Sequence, residues 1–418
     1  MHANDLIHFL RHGWADMLTR RGLLGTAAPG LAMLGLAAPA VVRAQGNAPI
    51  RIGEINSYTA VPAFTVPYRN GWQVAVDEIN AQGGVAGRKI EVLSRDDAGQ
   101  PQTATQLAGE LLSDAKVDLL AGGFLSNVGL ALSDFAARNG KLYVAGEPLT
   151  DALVWDRGNP TCFRLRPSTY MQVAMLLPEA AKLKATRWAT VAPNYEYGQS
   201  AVRWFKTLLK ALRPDVEFVA DQLPALGKID AGATVQALAG AKPDGIFNVL
   251  FGPDLTNFVR QGNTRGLFEG RDVVSVLTGE PEYLLPLGDE TPEGWLVTGY
   301  PVGQVPSARA FESMYQDRFK QAPRMGSVVG YTLLHSIAAG IARAGSTDTA
   351  KLVAAFEGLP FDSPFGPAIY RAADHQSTFG TFVGRTALKG SEGTMTDWQY
   401  VDGKDAQPSD AEVRTLRR

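Results

Sequence analysis

Short apolar runs alternate with longer amphipathic segments from residue 50 onward. In the longer segments apolar residues recur three or four positions apart, as Ala75 and Ile79 do, which is typical of one helix face. The predicted strands lie at 50–55, 90–94, 117–121 and 142–145, with helices at 68–81, 103–113 and 127–138. This alternation predicts β-α-β units and a mostly parallel sheet.

The same alternation starts again after a stretch containing Pro, Asp and Gly at 148–160. Strands are predicted at 188–192, 216–223, 245–250, 273–277 and 294–300, and helices at 171–184, 200–212, 234–241 and 255–263. Three successive helices follow at 308–319, 328–343 and 349–357, and then turn and strand residues at 360–370. We therefore expect an α/β protein with two doubly wound lobes.

Length and composition agree with two globular domains. The chain has 418 residues, of which 45% are hydrophobic and 20% charged. Its formal net charge is only −2, so the composition does not favour nucleic acid or an anionic membrane surface as a partner.

The first 44 residues are typical of an export signal. Arg20 and Arg21 precede an apolar stretch at 23–42, which ends in the small-residue pattern Val-Arg-Ala at 42–44, directly before Gln45. We predict a signal peptide at 1–44 that uses the twin-arginine route; a transmembrane anchor is the alternative. Cys162 is the only cysteine, so no intramolecular disulfide or lipid anchor is expected, and the protein should be soluble in the periplasm.

Motifs of α/β enzymes are missing from the sequence. The densest glycine cluster, at 83–87, follows a predicted helix, whereas a phosphate-binding turn follows a strand. No Gly-x-Ser-x-Gly motif occurs, and beyond residue 44 the only histidines are His335 and His375. We expect no catalytic residue, cofactor or metal, although Asp96 and Asp97 leave a carboxylate-only calcium site as an alternative to a solvated turn.

Several segments resemble one known family. They read AVDEINAQGGVAGRKI at 75–90, FRLRPS at 163–168, YGQ at 197–199, KPDGI at 242–246 and FDSPFGP at 361–367. In this order and spacing they resemble the leucine/isoleucine/valine-type periplasmic binding proteins of ABC transporters. The resemblance spans nearly all of 50–370.

The resemblance implies the type I periplasmic binding protein fold, in which the chain crosses a hinge three times. Lobe 1 would comprise 47–147 plus 303–358, and lobe 2 would comprise 148–302 plus 359–418. The implied function is capture of a small organic ligand between closing lobes, by a monomer, for an ABC permease of the inner membrane. A periplasmic sensor module and an α/β enzyme with an unrecognised site are the alternatives.

The family's ligand carboxylate is held by a serine after the third strand, and Ser126 matches that serine. A helix that starts at Ser126 and Asn127 would offer backbone N–H groups to an anion, although either residue could simply cap the helix. By position the resemblance also implies aromatic contacts from Phe64 and Tyr197. The further candidates follow predicted strands, with core packing as the alternative for each aromatic residue: Phe251, Gly252 and Tyr58.

Two departures from the family put a leucine-like ligand in doubt. Leu149 stands where the family has a threonine, and Glu147 stands where a small residue is expected. Glu280 and Glu282 bracket the position of the family's acidic residue, which binds an α-ammonium group. An aromatic or hydrophobic carboxylate is therefore as plausible as an amino acid. Glu147 would pair with a cation or accept hydroxyl hydrogens, unless it lies in a surface turn.

Overall fold

Two sheets of mainly parallel strands form the framework of residues 48–417, the part of the chain that the computed structural model describes. The predicted signal peptide at 1–44 lies outside the described residues. The strands of sheet I are β1 (Ile50–Asn56), β2 (Ile90–Asp96), β3 (Leu119–Gly122), β4 (Tyr143–Ala145) and β5 (Cys162–Arg164). Their order is β2-β1-β3-β4-β5, and all neighbours are parallel.

Sheet II has seven strands. The five parallel ones are β6 (Arg187–Val191), β7 (Glu217–Gln222), β8 (Gly245–Asn248), β9 (Asp272–Gly279) and β10 (Leu296–Gly299). A separate hairpin consists of β11 (Pro360–Ser363) and β12 (Gly366–Ile369). Strands β13 (Thr381–Lys389) and β14 (Glu392–Val401) add an antiparallel hairpin to β10, which gives the order β14-β13-β10-β9-β8-β6-β7.

The parallel strands of the two sheets share one connection pattern. The order β2-β1-β3-β4-β5 in sheet I recurs as β7-β6-β8-β9-β10 in sheet II. In each sheet the second strand lies on one side of the first and the later strands lie on the other side. The direction in which strands are added therefore reverses once, between β1 and β3 in sheet I and between β6 and β8 in sheet II. Ligands of open α/β sheets bind beyond the carboxyl ends of the strands at such a reversal, which indicates the strand ends as the site.

The helices occupy most of the chain between the strands. They are α1 (Pro62–Ala81), α2 (Pro101–Ser113), α3 (Ser126–Arg138), α4 (Thr169–Ala180), α5 (Glu196–Leu212), α6 (Ala231–Gly240), α7 (Gly252–Thr264), α8 (Pro281–Leu287), α9 (Arg309–Phe319), α10 (Met325–Ala344), α11 (Thr349–Phe356) and α12 (Asp410–Leu416). Local sequence sets where several of them begin. Proline occupies the first position of α1, α2 and α8, where its missing N–H costs no hydrogen bond. Side chains of Ser168, Asp230 and Asp348 cap α4, α6 and α11.

Helix α10 packs closely against α1 because glycines remove side chains from the contact. A Cβ atom at Gly330 would lie 2.1 Å from the carbonyl oxygen of Tyr68, and one at Gly71 would lie 2.0 Å from that of Ser327. Only glycine permits this approach. Helix α10 is long and apolar enough to cross a membrane, but 72% of its most apolar window is buried inside the protein, as in a core helix.

The chain passes between the sheets three times. It enters sheet II after β5, returns to sheet I after β10 to form α9, α10 and α11, and re-enters sheet II at β13. We call sheet I with α1–α3 and α9–α11 half I, and sheet II with α4–α8 half II. The first and last crossings are joined where Arg164 Nε donates to Gln376 Oε1 over 2.5 Å.

The elements differ from the sequence prediction in a few places. Helix α1 begins at Pro62 rather than at 68, so Phe64 lies within a helix. Strand β5 is the fifth strand of sheet I, which therefore extends beyond residue 147. The β13–β14 hairpin was not predicted, because β14 buries only Met395 and Val401 and so lacks a regular apolar pattern. The proposed lobe boundaries remain a prediction.

Candidate ligand-binding site

A cavity lies at the carboxyl ends of strands from both sheets. Its wall comes from residues that follow β3, β4 and β5 in sheet I and from residues at or beyond the ends of β6, β8 and β9 in sheet II. The volume is about 20 Å³, enough for one water molecule. The lining residues are Phe124, Ser126, Glu147, Leu149, Arg166, Tyr195, Tyr197, Phe251, Leu277 and Tyr283.

Aromatic rings from both halves close this cavity. Phe64 of α1 lies 5.2 Å from Phe124, 5.4 Å from Tyr283 and 6.0 Å from Phe251, measured between ring centroids. Phe64 and Phe124 belong to half I, while Phe251 and Tyr283 belong to half II. Such tilted and edge-to-face contacts are favourable. A ligand the size of a benzene ring enters only if these rings move apart.

A buried charged trio, Arg166 with Glu147 and Glu280, stands at one side of the cavity. The Arg166 guanidinium is ion-paired with Glu280, and its Nη1 lies 3.8 Å from Glu147 Oε1. Burial raises the pKa of Glu280 to about 8, against the lowering effect of Arg166. Burial likewise raises the pKa of Glu147 well above 4.5. Burial disfavours the charged form of Arg166, but Glu280 and Glu147 more than offset this and raise its pKa.

Three lining residues each carry a buried polar atom without a hydrogen-bond partner among residues 48–417. These atoms are Arg166 Nε, Glu147 Oε2 and the Tyr197 hydroxyl oxygen. An unpaired buried polar group costs about 1–3 kcal/mol. The cavity therefore presents a donor, an acceptor and a hydroxyl that a ligand could satisfy.

Ser126 is the first residue of α3, and it is buried in the cavity wall. Its Oγ accepts a hydrogen bond from the backbone N–H of Thr150 over 3.2 Å. The backbone N–H groups in the first turn of a helix have no intrahelical acceptor and form the positive end of the helix dipole. This end of the cavity therefore suits a carboxylate.

Glu280 and Glu282, which bracket the position of the family's acidic residue, do not line the cavity. Glu280 is engaged with Arg166. Glu282 accepts hydrogen bonds from the backbone N–H groups of Met325, over 3.2 Å, and Gly326, over 2.8 Å. These contacts join α8 of half II to the start of α10 in half I.

Tyr58 belongs to a polar cluster within half I instead of the cavity wall. Its hydroxyl donates to Glu54 Oε2 over 2.9 Å and lies 3.3 Å from Trp72 Nε1. Ser94 also donates to Glu54 over 2.6 Å. Burial raises the pKa of Glu54 to about 8. Glu54 was not predicted as a notable residue, although a charged residue inside an apolar strand is unusual.

The structure brings half of the predicted site residues to the cavity and not the other half. The residues in its wall are Ser126, Glu147, Leu149, Tyr197 and Phe251. The residues outside it are Tyr58, Phe64, Asn127, Gly252 and Glu280. Phe64 still contacts the aromatic wall, whereas Asn127 is exposed. Glu147 is 3% exposed, so the surface-turn interpretation is wrong.

A wider groove, of 710 Å³, lies along Leu284, Tyr300 and the β13–β14 hairpin. None of the unpartnered buried polar atoms within residues 48–417 belongs to a residue that lines it. A groove without such atoms offers a ligand few specific contacts. The smaller cavity is therefore the better candidate site.

The sequence matches the family model of the periplasmic binding proteins over residues 49–391. The chain belongs to this family. The predicted family and fold are thereby confirmed, together with the general function of a solute-binding protein.

Curated relatives and a solved structure cover most of this periplasmic binding protein. It is 27% identical to the Leu/Ile/Val-binding protein of Escherichia coli over 340 residues, 78% of this chain and 84% of that protein. It is also 27% identical to the Leu/Ile/Val-binding protein homolog 7 of Brucella abortus over 330 residues, 74% of this chain and 80% of that protein. A Rhodopseudomonas palustris solute-binding protein of an ABC transporter, in complex with 3,4-dihydroxy benzoic acid, shares the fold. Its TM-score is 0.77 at 24% identity, covering 86% of this chain and 98% of that one.

Sequence reasoning missed half of the cavity wall of this binding protein. Phe124 and Tyr195 follow β3 and β6, so the rule that selected Phe251 at the end of β8 also applies to them. Arg166 lies in the FRLRPS motif, but nothing local indicates that its partners are Glu147 and Glu280.

Proposed function

We propose that this periplasmic binding protein captures a small organic carboxylate between its two halves and delivers it unchanged to an ABC permease of the inner membrane. It acts in the periplasm as a soluble monomer. The observation that carries this proposal is the cavity whose wall comes from the strand ends of both sheets. A ligand held there contacts both halves, so it stabilises the closed arrangement over the open one.

An aromatic or hydrophobic carboxylate fits the cavity better than an α-amino acid. The rings of Phe124, Tyr195 and Phe251 make much of the wall aromatic. Glu280 is already engaged with Arg166, and Glu282 with the start of α10, so neither is available to an α-ammonium group. The ligand carboxylate would lie against the first turn of α3.

The proposal includes no chemical change of the ligand. Neither His335 nor His375 lines the cavity. His335 contacts Glu78 at 3.3 Å, and the His375 ring stacks on Phe163 with 4.0 Å between centroids. Both histidines therefore have structural contacts away from the proposed ligand.

Thermal unfolding of the purified protein with a ligand panel tests the proposal. The panel contains benzoate, phenylacetate, leucine and isoleucine. A ligand at about 1,000 times its Kd stabilises by roughly 4 kcal/mol, and we expect the aromatic acids to raise the Tm by several degrees. Ser126→Ala should reduce this rise, while Ser113→Ala, an exposed serine of α2, should not. If only leucine and isoleucine raise the Tm, the ligand is an amino acid and not an aromatic acid. If the protein converts a ligand into another compound, the protein is an enzyme.

A further inference from the structure

Three unpartnered polar atoms with different hydrogen-bonding capacity belong to the wall of one small cavity. Arg166 Nε can only donate, Glu147 Oε2 accepts when its carboxyl group is ionised and can donate when it is protonated, and the Tyr197 hydroxyl can do both. The three residues are 3%, 3% and 4% exposed, so bulk water does not satisfy these atoms. The ligand group beside them must therefore match more than one kind of hydrogen bond.

The charges of the trio restrict that group further. One guanidinium lies between two carboxyl groups, those of Glu147 and Glu280. A ligand carboxylate would add a further negative charge beside Glu280, whose charge already offsets that of Arg166. A ligand ammonium would satisfy Glu147 but would leave Arg166 Nε without an acceptor and place a second cation beside it. A neutral group with both a donor and an acceptor avoids both penalties.

We propose that Arg166, Glu147 and Tyr197 determine specificity by binding a neutral hydroxyl or carboxamide group of the ligand. This inference rests on the proposed function, in which Ser126 and the start of α3 hold the ligand carboxylate. The neutral group accepts from Arg166 Nε and donates to Glu147 Oε2. Tyr197 completes its hydrogen bonding from half II. The residues thereby select a ligand that is acidic at one end and neutral but polar at the other.

Calorimetric titration with benzoate, 4-hydroxybenzoate and terephthalate tests the inference. The wild-type protein should bind 4-hydroxybenzoate at least about tenfold more tightly than benzoate, because the hydroxyl satisfies buried groups that benzoate leaves unpaired. Terephthalate, which carries a second carboxylate in place of the hydroxyl, should bind more weakly than 4-hydroxybenzoate.

The variants Glu147→Gln and Tyr197→Phe locate the effect without removing Arg166, whose loss would leave two buried carboxyl groups unpaired. Each should reduce the ratio of the benzoate Kd to the 4-hydroxybenzoate Kd by several-fold. Glu217→Gln is the matched control, since Glu217 lies at the amino end of β7 and pairs with Arg187 on the surface. It should keep the wild-type ratio.

The outcomes separate the two proposals. Equal affinity for benzoate and 4-hydroxybenzoate, an unchanged ratio in both variants, or tighter binding of terephthalate would overturn this inference and leave the proposed function standing. If none of the three acids binds, both this inference and the aromatic ligand class fail.

Discussion

Glu282 caps the helix that begins at Met325, because its carboxylate accepts from the backbone N–H groups of Met325 and Gly326. The glutamate belongs to α8 of half II and the helix belongs to half I. The carboxylate meets the positive end of the helix dipole, which strengthens the contact. The two halves are therefore held together by a contact that does not involve the ligand cavity.

Removing this cap should favour the open arrangement. We expect Glu282→Ala to cost about 1–2 kcal/mol, the usual loss for a helix cap, and to increase the radius of gyration of the ligand-free protein. Small-angle X-ray scattering and thermal unfolding measure the two effects. Glu110→Ala, which removes an exposed glutamate of α2, is the control. Identical scattering from both variants would contradict the prediction.

Stability should fall as the pH rises from about 4.5 to about 8, in part because of Glu54. Burial and, to a smaller extent, Asp97 raise its pKa from 4.5 to about 8, against hydrogen bonds from Ser94 and Tyr58 and the charge of Arg69. Between these pH values the folded protein keeps a proton that the unfolded chain releases. The stabilisation is complete below pH 4.5 and is lost as the pH passes 8.

The variant Glu54→Gln removes this titration. Its unfolding free energy should vary less between about pH 5 and 8 than that of the wild type, by on the order of 2–4 kcal/mol. Urea unfolding at several pH values measures the difference. Glu91→Gln, which changes an exposed partner of Arg51, should follow the wild-type curve. A Glu54→Gln curve parallel to that of the wild type would refute the assignment.

Replacing Arg164 by lysine should destabilise the protein. It is fully buried, donates to Gln376 Oε1 and to the Thr150 carbonyl, and links β5 to the last crossing. Lysine cannot make both contacts from one planar group. We expect Arg164→Lys to lower the unfolding free energy, measured in urea, by roughly 3 kcal/mol. Arg187→Lys, at an exposed ion pair, should change it by less than about 0.5 kcal/mol. Equal losses in the two variants would show that the buried contacts of Arg164 add nothing to stability.

Two glycine substitutions should have opposite effects on stability, because only one of the two glycines lies in the contact between α1 and α10. Gly330→Ala places a methyl group against the Tyr68 carbonyl and should cost about 1–3 kcal/mol by overpacking. Gly109→Ala in α2 has its nearest neighbour at 3.8 Å, so it should stabilise by up to about 1 kcal/mol. Urea unfolding of both variants checks the opposite signs. A shift in the same direction for both would show that α10 can move away from α1.

Most strands and helices were predictable from the sequence, because apolar spacing is a local property. The spacing of Val74, Ala75 and Ile79 indicated α1, and the alternation of strands and helices indicated the parallel sheets. The predicted helix at 171–184 was too long, since α4 ends at Ala180.

The sequence predicted only those site residues that can be identified by their position after a strand. Ser126 and Phe251 follow strands, and the carboxyl ends of parallel strands meet at one edge of a sheet. The contact of Arg166 with Glu280 joins residues far apart in the chain, so no local pattern contains it. For the same reason the sequence alone left a surface turn open for Glu147, which is buried in the cavity wall near Arg166.

The pairing of α1 with α10 also affects the order in which the chain folds. Tyr68 meets Gly330 only after most of the chain has left the ribosome. Until then the face of α1 that carries Tyr68 and Gly71 lacks its native partner. Contacts between segments far apart in sequence form slowly and leave apolar surface exposed meanwhile. Half I, although it contains the first strand, therefore completes its core only after all the parallel strands of half II have been synthesised.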